Sequence, residues 1–101
     1  HVWTADTPTP ASRAAWVKNL EAIAARRPAV VVPGHLGTHG ALDVSAVNYT
    51  RDYLLAFEQE LARAANGDAL IAAMNKRYPE AGLAAALQIG AKVAKAEMKW
   101  G

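Results

Sequence analysis

Apolar side chains recur at helical spacing over most of this chain, and the breaks between the periodic stretches carry helix-stopping chemistry. Thr9 suits an N-cap and Pro10 a first helical position, where the missing N–H would have had no partner. The helix they open is predicted to reach about Arg26, with Trp16, Leu20, Ile23 and Ala24 as its buried stripe, until Pro28 stops it. A second helix, capped by Asp43 or Ser45, is predicted to extend to about Ala65, with Val47, Leu54, Phe57 and Leu61 on its apolar face. Asn66-Gly67-Asp68 ends it and caps a shorter helix from Ala69 to Arg77. After Pro79, an alanine-rich helix is expected from Glu80 to about Met98, burying Leu83, Leu87, Ile89 and Val93.

Two stretches depart from this period. His1-Val2-Trp3-Thr4 reads as a strand end or extended entry before the turn-rich Asp6-Thr7-Pro8-Thr9-Pro10. Ala29-Val30-Val31-Val32 is a short β-branched run between Pro28 and Pro33-Gly34, the pattern of a strand covered on both faces. Two such strands do not make a stable independent sheet. The fold expected is therefore α/β (α+β), with partner strands supplied from outside: the missing N-terminal part of the same protein, or another copy of this chain. The start at His1 rather than methionine adds the expectation that upstream sequence exists, where a signal peptide would be invisible.

Composition narrows the chemistry. The 101 residues are 52% hydrophobic, enough for one small core, although alanine supplies much of that fraction. A net charge of +2 and lysines without interleaved aromatics argue against nucleic acid. Without long apolar runs, no membrane span is expected either. The chain has no cysteine, so metal ligands would have to be His, Asp or Glu. The compartment, cytoplasmic or periplasmic, is left open by these features.

Pro33 to Leu42 is a glycine-rich loop carrying His35 and His39. A buried strand that ends in Pro33-Gly34-His35 would place an imidazole just past its C-terminal end, where α/β sheets commonly hold ligands. Gly34 lets the backbone turn sharply there. A polar loop residue is the plainer reading of His35. His39 is better read as exposed or supporting, since Gly37 and Gly40 oppose the helix that would align it with His35. His39, Tyr49 and Tyr53 are the candidates for lining a substrate pocket beside His35, although the two tyrosines could simply pack. Glu58, Glu60 and Asp52 read as a solvated helix face. No phosphate loop follows the glycines, and no serine sits in a nucleophile elbow.

The order strand, Thr-Pro-rich turn, helix, Pro28, Val30-Val31-Val32-Pro33-Gly34-His35, long helix resembles the closing portion of metallo-β-lactamase-superfamily hydrolases, in a glyoxalase-II-like or lactamase-like branch. Asp6-Thr7-Pro8 is similar to the segment ahead of that strand in family members. The resemblance implies an αββα sandwich with one or two zinc ions, His35 as a metal ligand, and hydrolysis of an ester, thioester, amide or lactam by metal-bound hydroxide. It divides the chain into a sandwich portion, residues 1–44, and a C-terminal helical extension, residues 45–101. The family's His-x-His-x-Asp-His motif, middle histidine and bridging aspartate have no counterpart here, and Leu36 stands where many members have glycine. One imidazole is not a hydrolytic zinc site, so the chain alone is expected to be inactive. The residues also leave open a non-catalytic helical domain in which Pro33-Gly34-His35 is only a turn and the long helices mediate self-association.

Overall fold

In the computed structural model, residues 1–26 and 44–100 are described. They form four helices: α1 (Pro10–Ala25), α2 (Val44–Arg63), α3 (Gly67–Arg77) and α4 (Ala84–Ala94). Among the described residues there is no strand. The expected α/β (α+β) class, a portion of an αββα sandwich, is therefore corrected to all-helical. The strand expected at 29–32 lies outside the described residues. Val2-Trp3, expected as a strand end, is irregular. A strand needs a neighbour to pair its backbone groups, and this segment instead lies against helices.

The helix boundaries follow local chemistry. At the start of α1, the Thr9 hydroxyl accepts from the Ser12 N–H at 3.1 Å, and the Ser12 hydroxyl accepts from the Thr9 N–H at 3.2 Å. Serine thus closes a reciprocal box usually completed by Glu or Gln. Asn66 caps α3 by accepting from the Ala69 N–H at 2.9 Å. The Glu97 carboxylate also accepts from the Gly67 N–H at 2.8 Å, a favourable position for an anion at a helix start. The last helix is shorter than expected. Leu83 sits in the left-handed region with φ 60° and caps α4 without a side-chain bond. At the other end, Ala96 adopts φ 59°. Its N–H reaches the Val93 carbonyl at 3.0 Å, and the Glu97 N–H reaches that of Lys92 at 2.8 Å. These two bonds make a Schellman ending with alanine where glycine is usual.

The core lies where α2, α3 and α4 meet: Tyr53, Ala56, Phe57, Leu70, Met74, Leu87 and Ala91 are all buried. Val47, Leu54 and Phe57 are buried as the periodicity of α2 predicts, and Leu61 is partly so. On α4 the burial falls on Ala86, Leu87, Gly90, Ala91 and Val93. Ile89 is only half-buried, and Leu83 is 44% exposed. Small residues dominate this face because the segment before α1 lies on it. Thr4 and Ala5 are buried, and a Cβ on Gly90 would stand 2.2 Å from the Thr4 hydroxyl.

The stripe expected on α1 is not buried. Arg13 is that helix's buried residue, while Trp16, Leu20 and Ala24 are half-buried and Ile23 is 45% exposed. The helix packs on α2, but the described residues place nothing over its outer side.

Candidate functional site

His35 and His39, the expected metal ligand and its neighbour, lie outside the described residues. The segment that carries them leaves α1 and enters α2. Arg13, in the first turn of α1, reaches Glu58 in the second half of α2, the register of an antiparallel pair.

Tyr49 and Tyr53, the candidate pocket walls, are one helical turn apart on α2 but differ in availability. Tyr53 is fully buried, and Tyr49 is 44% exposed. The Tyr53 oxygen accepts from the Val2 N–H, and its hydroxyl lies 3.0 Å from His1 Nδ1. His1 Nε2 lies 3.1 Å from Asn75 Oδ1. Because that amide oxygen can only accept, the network assigns the proton to Nε2 and makes Nδ1 the acceptor for the phenol. Burial pushes the Tyr53 phenol well above its ordinary value, reinforced by Tyr49, against the opposing bond from Val2. Tyr53 is thus a neutral donor committed to internal bonds and serves the core rather than a pocket.

Tyr49 and Tyr78 meet edge to face, with ring centres 5.6 Å apart. With Arg77, Pro79, Glu80 and Ala81 they line an open hollow of about 300 Å³. Burial raises both phenols, and for Tyr78 the neighbouring Tyr49 adds to it. Arg77 is turned towards α2, where Nη1 donates to Gln59 Oε1 at 3.0 Å and lies 3.4 Å from Glu60 Oε1. The hollow offers aromatic faces and phenolic donors.

The strongest polar feature is one that sequence reasoning treated as solvated. Glu58 pairs with Arg13, which is 1% exposed. Arg13 Nη1 donates to the Thr7 carbonyl at 2.7 Å, and the guanidinium stacks 5.4 Å from the Phe57 ring centre. Its Nη2 has no partner among the described residues. A signal for this pair was present in the spacing. Arg13 falls three positions before Trp16, on the α1 stripe, and Glu58 falls between Leu54 and Leu61 on the α2 stripe. Charges of opposite sign on two facing stripes are a pair waiting to form. Beside them, Val17, Leu54 and Leu55 line a half-open groove of about 270 Å³. Glu60 lies 3.4 Å from Arg77 and 3.7 Å from Arg63, and Asp52 lies 3.0 Å from Arg51.

Zinc, the metal implied by the family resemblance, needs at least three protein ligands around one point. Among the described residues no three of His, Asp and Glu converge in that way, and His35 lies outside them. No helix among them is long and apolar enough to cross a membrane. Compared with known proteins, the chain matches no family profile, no curated protein and no solved structure.

Proposed function

We propose that this chain is the C-terminal part of a zinc-dependent hydrolase of the metallo-β-lactamase superfamily, and that His35 supplies one metal ligand of the parent enzyme. The observation that supports the reading is the run Val30-Val31-Val32-Pro33-Gly34-His35, which lies in the sequence between two mutually packed helices. In this reading α1–α4 are helical elements of the parent, and residues 1–26 and 44–100 carry none of its sheet. The parent's substrate is an ester, thioester, amide or lactam. The chain by itself has too few ligands to hold a catalytic metal and is predicted to be inactive.

Two measurements test this. A longer protein containing this chain should lose bound zinc, measured by elemental analysis, on His35→Ala; unchanged zinc would remove the ligand assignment. The isolated chain should turn over neither nitrocefin nor a thioester, with or without added zinc. Clear turnover would show that these residues suffice and that the site is complete without upstream ligands.

A second reading, a non-catalytic helical domain that self-associates, is supported by the exposure of Ile23 and Leu55, 45% and 46%. Sedimentation at rising concentration distinguishes it: a strictly monomeric chain counts against it.

A further inference from the structure

We draw no further inference here: the strongest candidate, the half-open groove between α1 and α2 lined by Val17, Leu54 and Leu55 with the buried Arg13 beside it, is an unpartnered apolar face, and nothing in the structure shows what covers it.

Discussion

Gly90 offers a sharp test of how the segment before α1 is seated. Glycine inside a helix is ordinarily about 1 kcal/mol worse than alanine, so Gly90→Ala would stabilise α4 if nothing lay over it. Here the added Cβ would stand 2.2 Å from the Thr4 hydroxyl and 3.5 Å from Thr4 Cβ. The first distance is more than an ångström inside normal contact, and the second is ordinary packing. Thr4 is buried on a chain segment tied down at both ends. The His1 ring is held by Tyr53 and Asn75, and the Thr7 carbonyl by Arg13. The backbone of Thr4 therefore cannot shift without disturbing those bonds, and a rotation of its side chain has to find room in a buried site. Overpacking of this kind costs about 1–3 kcal/mol. Set against the propensity gain, Gly90→Ala is expected to destabilise the chain by about 0–2 kcal/mol. In a Thr4→Ala background the close atom is gone, and the same substitution should stabilise by about 1 kcal/mol. The assay is a double-mutant cycle read by urea unfolding and helical circular dichroism, with an expected coupling of about 1–3 kcal/mol. If Gly90→Ala acts alike in both backgrounds, with coupling under about 0.5 kcal/mol, Thr4 does not sit on Gly90 and the argument fails.

Ala96→Gly should stabilise by about 0.5–1 kcal/mol, because alanine at φ 59° carries a left-handed penalty that glycine lacks; a lower urea midpoint would refute the Schellman assignment. Leu70→Ala, in the core, should cost about 2–5 kcal/mol. Ile23→Ala, on the exposed side of α1, should cost under about 1 kcal/mol, and equal losses by urea unfolding would mean α1 is covered. Glu58→Ala should cost about 2–3 kcal/mol, because it strands the buried Arg13 charge, while the partly exposed carboxylate limits the loss. The double replacement Arg13→Met with Glu58→Leu should cost less, and the reverse order would contradict a desolvated pair. Stability should also fall as pH rises above about 10. Folding raises the Tyr53 phenol above its ordinary 10.0, so in alkali the folded state holds a proton that the unfolded state has released. The loss runs at about 1.4 kcal/mol per pH unit for each such group. Tyr53→Phe should flatten that slope, and an unchanged slope would mean Tyr53 is not the group responsible.

Much of the helical framework was legible in the residues because helix ends are local chemistry. Thr9 and Pro10, Asn66, and the breaks around Pro28 and Pro79 need no tertiary information to be read. The stripe of α2 was equally plain, since Val47, Leu54 and Phe57 leave that helix one side to bury. The α1 stripe had the same local form and a different outcome, because periodicity marks which residues share a face without saying whether anything lies opposite. The expected α/β class failed for a related reason. Val2-Trp3 has the composition of a strand, but pairing is a property of two segments, and these residues found a helix instead.

The candidate site divides in the same way. His35 and His39 were chosen from a loop motif and lie outside the described residues, among which no three His, Asp or Glu converge. Tyr49 and Tyr53 were indistinguishable as a pair of tyrosines one turn apart. Three-dimensional packing separated them, burying Tyr53 against His1 and leaving Tyr49 at the surface. By itself, then, the amino-acid order determined closely where α1, α2 and α3 start and stop and which residues share a face, because capping, proline and period act within a few residues. The ends of α4, at left-handed Leu83 and Ala96, carry no such local signal. Tertiary structure decided which faces are covered, that Arg13 is buried against a partly exposed Glu58, and that Gly90 must stay small for Thr4. Each of those depends on segments distant in the chain arriving at one place.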